Sequence, residues 1–232
     1  MPCLVSKGST EAEGDMPEEQ KNDRFQDTIR LSRERNGCIE DQLYHGEEIS
    51  DLDLSMLAFQ RVIFRSCRFS VCDFSKSDFY QCRIEGCRFD ECIFSGAIWN
   101  QTEFTGVRGD GGRFDRNHFH SVKLSGSTFR YAVFSASTWK TCEIKDCILS
   151  EAVLADMEFK KTELLRTDLR RADFFRTMLS GIDLSNSQID GITVSDTCAE
   201  LRGAVINAEQ AVIAARILGM RIAQQPDIRD LF

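Results

Sequence analysis

Large hydrophobic residues recur at every fifth position over about two thirds of the chain. Steps of five from Ile49 to Val194 give 30 positions, and all of them except Gly109 hold Ile, Leu, Val, Phe or Trp. With 42 % hydrophobic residues overall, chance does not produce this regularity. Two positions before each large residue stands a second, mostly small one, such as Cys67 or Ser77. The phase never slips, so no insertion interrupts the array.

A period of five excludes an amphipathic helix and favours short extended segments. Five helical residues at about 100° each advance about 500°, so the large residues would spiral around a helix without forming a stripe. In extended backbone, residues two apart face the same side. Each unit therefore points one large and one small side chain inward and three side chains outward, which predicts a short side and a corner, repeated.

The units themselves resemble a known family. In phase they read CRFSV, CDFSK, SDFYQ, CRIEG, TDLRR and ADFFR, and this small, Asp or Arg, then Leu or Phe pattern resembles the pentapeptide-repeat family over about residues 47–196. The resemblance implies an all-β solenoid, a right-handed quadrilateral β-helix of about 7 coils with a C-terminal capping α-helix. We expect three parts: a flexible N-terminal segment (1–45), the β-helix (46–197), and a helical cap and dimerisation module (198–232).

Seven of the ten cysteines occupy the small inward positions of the array. Zinc ligands come in pairs separated by two to four residues, whereas Cys67, Cys72, Cys82, Cys87 and Cys92 are separated by five or ten. A buried thiol behaves as a small hydrophobe. We therefore expect these cysteines to fill the core, with no metal and no cofactor.

The sequence offers no candidate for catalysis. His118 and His120 flank the inward Phe119, so both point to solvent. The stretch GVRGDGG (106–112) lacks the lysine and Ser/Thr of a phosphate loop and keeps the five-residue phase, so we interpret it as a loosened corner. We expect no enzyme. Because no apolar segment reaches 18 residues and the start lacks a signal-peptide pattern, we expect no membrane contact and a cytoplasmic location.

The pattern changes near the C-terminus, in LRGAVINAEQAVIAARILGMRI (201–222). Asn207 and Gln210 have the spacing of a capping box, and Gly219 is placed to end the helix. The arrangement resembles the C-terminal module of quinolone-resistance (Qnr-type) pentapeptide proteins, which joins two subunits tail to tail. The resemblance implies a homodimer, with a monomeric cap as the alternative. The dimerisation residues would be Leu201, Gly203, Gln210, Ile213, Ile217, Leu218, Gly219 and Ile222.

Charge bears on the choice of partner. The formal net charge of −8 argues against direct nucleic-acid binding. In the Qnr-type branch an acidic rod imitates duplex DNA, so the resemblance implies a type II topoisomerase (DNA gyrase) as partner and quinolone antibiotic resistance as outcome. Arg68, Arg88 and Arg108 beside acids predict a salt-bridge lattice on one side. Candidate partner-binding acids on the two acidic sides are Asp73, Asp90, Glu91, Asp110, Asp115, Glu151, Asp168, Asp173 and Asp190.

Two functions remain open from the sequence. One is a non-enzymatic, DNA-mimicking protein that binds gyrase and modulates it or protects it against inhibitors. The alternative is a pentapeptide-repeat protein-binding scaffold or effector with no topoisomerase role, for which residues 1–45 would serve as an address.

Overall fold

The chain winds into a parallel β-solenoid with four sides. The computed structural model describes residues 18–35 and 37–223. Side 1 and side 2 are seven-stranded parallel sheets whose strands follow one another at 20-residue steps, as Phe59 beside Phe79 illustrates. Six 20-residue turns separate the first and last strands. The strands of side 1 are β1 (Cys38–Glu40), β4 (Ala58–Gln60), β7 (Asp78–Tyr80), β10 (Ile98–Asn100), β12 (His118–His120), β14 (Thr138–Lys140) and β16 (Glu158–Lys160).

Side 2 follows side 1 in every coil. Its strands are β2 (Leu43–His45), β5 (Ile63–Arg65), β8 (Arg83–Glu85), β11 (Glu103–Thr105), β13 (Lys123–Ser125), β15 (Glu143–Lys145) and β17 (Glu163–Leu165). Except in β16, the middle residue of each strand is buried and its two neighbours face outward. This alternation is what a five-residue unit with one central hydrophobe dictates.

The other two sides are narrower. Side 3 holds the three strands β3 (Glu48–Ser50), β6 (Arg68–Ser70) and β9 (Arg88–Asp90), and single parallel bridges continue it from Arg108 to Gln188. Side 4 is built from single bridges alone, which run from Asp53 to Thr193. The predicted all-β solenoid is confirmed.

Aromatic rings fill the interior in columns. On side 1 the rings of Phe59 and Phe79 stack with centroids 4.9 Å apart, and Phe79 and Trp99 stack at 3.9 Å. The stack continues to Phe119 at 6.0 Å and then turns edge-on at Trp139, where the planes meet at 68°. Stacked and edge-on contacts are the two arrangements that aromatic quadrupoles favour.

The small inward position has a hydrogen-bonding role that the sequence pattern did not show. Its hydroxyl or thiol donates to the carbonyl of the large residue 23 positions earlier, one coil below. Ser77 Oγ reaches the Leu54 carbonyl at 2.8 Å, and Cys82 Sγ reaches the Phe59 carbonyl at 3.2 Å. This geometry explains why Cys, Ser and Thr recur there, since each is small and each can donate.

The N-terminal boundary differs from the prediction. Helix α1 (Glu18–Arg35) and strands β1 and β2 lie inside the segment expected to be flexible. Phe25 is fully buried, and its ring meets Tyr44 edge-on at 4.8 Å. The first coil therefore begins near residue 38 rather than 46, and α1 covers its open end. Residues 1–17 lie outside the described residues.

The C-terminal boundary also shifts. Beyond the predicted end at 197, the Leu179 amide donates to the Glu200 carbonyl and the Leu184 amide to the Val205 carbonyl, so residues 198–206 still pair with the coil below. A 3₁₀ turn (Ala199–Leu201) and helix α2 (Ala208–Ile217) complete this end. The predicted capping box at Asn207 and Gln210 is confirmed, because each side chain bonds the other's backbone amide.

Candidate partner-binding surface

Outward side chains form vertical rows because each residue lies beside the one 20 positions later. Neighbouring coils are separated by about 4.8 Å, so opposite charges 20 residues apart meet. Arg61 pairs with Asp41 at 2.6 Å, and Arg166 pairs with Asp146 at 2.7 Å. All four of these residues occupy corners with a positive φ. The sequence analysis missed these corner pairs, although charge reversal at a spacing of 20 would have revealed them.

Asp90 lies at the centre of an arginine cluster on side 3. Its carboxylate accepts hydrogen bonds from Arg68 Nε at 3.0 Å and Arg88 Nε at 2.8 Å. Desolvation alone would raise the pKa of Asp90, but the bonds from Arg88 and Arg68 outweigh it and hold the pKa below its ordinary value. The predicted salt-bridge lattice is confirmed at this position. A carboxylate shared by two guanidinium groups presents little negative charge to a partner.

Three other acids on side 3 are more open. Asp110 is exposed and accepts bonds from Thr128 Oγ1 and the Arg130 amide, both at 2.7 Å. Glu91 and Asp190 are exposed, and their carboxylates make no hydrogen bond or ion pair with any other described residue. Among the predicted acids of side 3, these three leave the most negative charge open to solvent, and Glu48 and Asp51 of the first coils are exposed there as well.

Toward the C-terminus, side 3 returns to paired charges. Arg170 holds Asp168 through two hydrogen bonds of 2.9 and 2.7 Å, and these bonds lower the pKa of Asp168. Glu151 lies 3.7 Å from Arg171. Paired in this way, Asp168 and Glu151 act mainly within the solenoid.

The candidate acids of side 4 accept hydrogen bonds from neighbouring groups of the solenoid. Asp115 is buried and accepts a bond from Ser95 Oγ at 2.5 Å, with Arg116 at 2.9 Å. Asp73 and Asp173 each accept a bond from the backbone amide two residues later, at 2.8 and 2.9 Å. The structure thus brings all nine predicted acids onto two adjacent sides but gives most of them a structural partner.

The predicted dimerisation residues divide into two groups. Gln210 is 4 % exposed, and its Nε2 donates to the Leu184 and Ser187 carbonyls, both at 2.7 Å. Half-buried Leu201, Ile213 and Ile217 pack against the same core. Gln210 therefore anchors α2 to its own solenoid.

The second group lies at the surface. Leu218 and Ile222 are exposed, as are Gly203 and Gly219, both with a φ of 78°. At Gly203 an added Cβ would lie 2.8 Å from Ser180 Oγ, so glycine permits close packing there.

Three of the inward thiols are held in the protonated form. Burial raises the pKa of Cys82, Cys142 and Cys147 to about 11, which keeps them protonated and unreactive. Across residues 18–35 and 37–223, no three His, Cys, Asp or Glu side chains are grouped so that they could hold a metal ion. In the same ranges, no helix has the length and apolar character that a membrane span requires.

Comparison with known families agrees with the geometry. Family models for pentapeptide repeats match residues 58–108 and residues 146–187. The chain is a pentapeptide-repeat protein. Both matches lie within the four-sided solenoid. No curated protein sequence matches the chain.

Solved structures with a related fold were also found. A trypsin-treated variant of QnrB1, a plasmid-mediated fluoroquinolone resistance protein, is 17 % identical with a TM-score of 0.53, covering 80 % of this chain and 97 % of that one. A second trypsin-treated QnrB1 variant, with the same identity and coverage, has a TM-score of 0.49. HetL, a pentapeptide-repeat protein of the cyanobacterium Nostoc, is 13 % identical with a TM-score of 0.30, covering 77 % of this chain and 94 % of that one. At 17 % identity, the similarity to the first of these structures shows the fold alone.

Proposed function

We propose that this pentapeptide-repeat protein is a non-enzymatic binder of a type II topoisomerase, DNA gyrase, and that it modulates the enzyme or protects it against inhibitors. The proposal is supported by the similarity of its fold to a fluoroquinolone resistance protein. The observation that carries it is a set of three open carboxylates on side 3, at Glu91, Asp110 and Asp190. A rod that displays such carboxylates on one side can enter a groove built to hold a phosphate backbone.

The magnitude of the charge restricts the kind of mimicry. Over residues 47–196, 23 acids face 19 bases, a net charge of −4. The 30 five-residue units form about 7.5 coils, which stack to a rod of about 36 Å. A DNA duplex of that length carries roughly 21 phosphate charges. Bulk charge therefore cannot imitate DNA here. Binding would depend on the shape of the rod and on a few open acids, with side 3 against the enzyme.

A gyrase supercoiling assay tests the proposal. Micromolar full-length protein should reduce supercoiling or relieve its inhibition by a quinolone. The double variant Glu91→Lys/Asp190→Lys should lose the effect. Asp110 is left intact because its two hydrogen bonds support the fold.

The matched control is Glu143→Lys/Glu163→Lys, which makes the same charge change on side 2 and should keep the effect. The proposal would be overturned if both double variants had the same effect on gyrase supercoiling, or if the unaltered protein had none.

The scaffold function has one observation in its favour. Asp90, Asp115 and Asp168 are neutralised by arginines of the same chain, which suits a mixed-charge surface for a partner other than a DNA-binding enzyme. If gyrase is unaffected, this function is preferred. Its address segment would have to lie within residues 1–17, because α1 and the first coil contribute to the core.

A further inference from the structure

Successive coils are joined by backbone hydrogen bonds on all four sides through most of the solenoid. On side 1 the Thr141 amide donates to the Lys160 carbonyl at 2.8 Å. On side 2 the Asp146 amide donates to the Leu165 carbonyl at 3.0 Å. Bonds in the opposite direction accompany them, such as Glu158 amide to Ser137 carbonyl at 3.0 Å. This is the regular pattern of a parallel ladder.

One step breaks the pattern. Among the described residues, no backbone hydrogen bond joins 157–166 to 177–186, and the sheets of sides 1 and 2 end at β16 and β17. The amides of Lys161 and Arg166 have no bond equivalent to those of Thr141 and Asp146. We call this interruption the seam.

The seam is confined to two sides. On side 3 the Leu169 amide still donates to the Gln188 carbonyl at 2.8 Å, and on side 4 the Phe174 amide donates to the Thr193 carbonyl at 2.8 Å. Ion pairs add to the joined sides. Asp156 meets Arg176 at 3.1 Å, one coil apart, at the corner between sides 4 and 1.

Two side-chain hydroxyls mark the ends of the seam. Thr177 Oγ1 accepts a bond from the Met157 amide at 2.8 Å and donates to the Leu154 carbonyl at 2.6 Å, at the corner before side 1. Ser187 Oγ accepts a bond from the Thr167 amide at 3.1 Å, at the corner after side 2. Sides 1 and 2, which lack backbone hydrogen bonds at the seam, are thus bounded at each end by a side-chain hydrogen bond between the two coils.

Local packing gives a physical cause. Met157 and Ile182 stand in small inward positions next to the seam, where most coils have Cys, Ser, Thr or Ala, and both are buried. A larger side chain in a close-packed interior displaces its neighbours, so the volume of these two residues is the cause that we test below. Phe159 is only half-buried, unlike the other ring-bearing members of its column. Asn186, also at the seam, alone among the corner residues from 41 to 191 lacks a positive φ.

We propose that the seam is a hinge. Residues 177–223, comprising the last coils and α2, form a terminal module that swings about sides 3 and 4 and opens sides 1 and 2. An element held by fewer backbone hydrogen bonds opens at lower free energy than the rest of the fold. The hinge would let the C-terminal end change its angle to the rod without loss of the core.

Pairs of spin labels measure this motion in the full-length chain with Cys3→Ser/Cys38→Ser, so that the introduced cysteines take the label. The seam pair is His120→Cys/Ser180→Cys on side 1. Gln60→Cys/His120→Cys is the control within the rod on the same side, and Arg130→Cys/Asp190→Cys spans the seam on closed side 3. Each pair is 60 residues apart, or about 14 Å at the inter-strand spacing, and each label stands one residue after the inward position.

We expect a broad or two-peaked distance distribution for the seam pair alone. Equal widths in all three pairs, whether narrow or broad, would overturn the hinge. Adding Met157→Ala/Ile182→Ala to the seam pair should narrow its distribution. If the distribution stays broad in a variant that still unfolds cooperatively, these two side chains do not cause the hinge.

Discussion

At the residue scale, the corners impose a recurrent backbone cost. Almost every fifth residue adopts a φ near +55°, and most of these residues are not glycine. The left-handed region costs an L-residue roughly 1–2 kcal/mol. The corner amide offsets part of this by bonding the next coil, as Asp41 does to the Gln60 carbonyl at 3.0 Å. The residue type at each corner therefore affects the stability of the fold, although the five-residue pattern does not specify it.

Val71 is the corner where a substitution should stabilise the protein. It is β-branched, has a φ of 56° and is 53 % exposed, so its side chain gains little from packing. Val71→Asn should raise the free energy of unfolding by about 1 kcal/mol, because Asn tolerates this conformation. Urea denaturation measures the change. Val133→Asn, at an outward position without a positive φ, should not stabilise; a gain at both sites would contradict the strain argument.

Gly109, the one gap in the hydrophobic pattern, is filled from the next coil. A Cβ at this position would lie 2.7 Å from the ring of Phe129, which occupies the space that a large side chain would take. Backbone pairing continues there, with the Gly109 amide bonded to the Thr128 carbonyl at 2.9 Å. The loosened corner expected from the sequence is instead a regular one.

Gly109→Ala should therefore destabilise the protein by about 1–3 kcal/mol through overpacking. The smaller Phe129→Leu in the same chain should recover part of the loss. Thermal unfolding of the single and double variants measures both effects. If the two changes add without coupling, the ring of Phe129 is not what excludes the methyl group.

At the element scale, what the sequence could predict depended on how many residues carried the signal. The solenoid follows from dozens of side chains in one phase, and helix α2 follows from Asn207, Gln210 and Gly219 at its ends. Helix α1 gave only a weak signal, since Phe25 and Ile29 are its buried apolar anchors and the rest, apart from exposed Leu31, is polar. Ile39 and Tyr44 do keep the five-residue phase, but polar Gln42 stands in the small position between them and obscured the first coil.

Glu200 makes the last coil sensitive to acid. Its carboxylate is 1 % exposed and accepts bonds from Ser195 Oγ at 2.8 Å and the Arg176 amide at 2.9 Å. Burial alone would raise the pKa of Glu200, but the backbone and hydroxyl hydrogen bonds outweigh it and hold the pKa below its ordinary value of 4.5. The stabilisation is therefore complete above pH 4.5 and is lost as the pH falls through the lowered value in the folded protein.

Glu200→Gln should lower stability at pH 7 and weaken its dependence on pH below 4.5. Urea unfolding at a series of pH values measures how the free energy of unfolding changes with pH in the variant and in the unaltered chain. Other acids with lowered pKa values, such as Asp90 and Asp168, contribute equally to both proteins. Parallel slopes for the variant and the unaltered chain would show that Glu200 does not titrate with folding.

At the scale of the whole molecule, the unbroken five-residue phase predicts a rod without insertions, whereas the backbone ladder of the described residues is interrupted at the seam. Met157 and Ile182 were visible as large residues in small positions, but Val107 and Val122 are also larger than usual there and leave the ladder intact. Whether a bulky side chain separates two coils depends on the packing of the coils above and below. That information is three-dimensional, so a linear pattern could not provide it.

The two ends of the rod differ in how well their apolar side chains are covered. Helix α1 seals the first coil with Phe25, while the C-terminal end leaves apolar side chains in solvent. Leu218 is 54 % exposed and Met220 is 58 % exposed, and Val205, Val212 and Ile222 are exposed at the same end. Several large apolar side chains exposed at one end of a fold indicate an interaction surface. A second copy of the chain, meeting tail to tail, would cover both patches at once because such an interface is self-complementary.

Leu218→Glu/Met220→Glu should therefore convert a dimer to a monomer without unfolding the solenoid, since neither side chain contributes to the buried core. Light scattering coupled to size-exclusion chromatography measures the mass, against 26.4 kDa for one chain. Met56→Glu, at a 69 % exposed position in the first coils, is the control and should leave the mass unchanged. A monomer before any substitution would contradict the homodimer that the sequence resemblance implies, and a dimer that survives both charges would place its interface elsewhere on the rod.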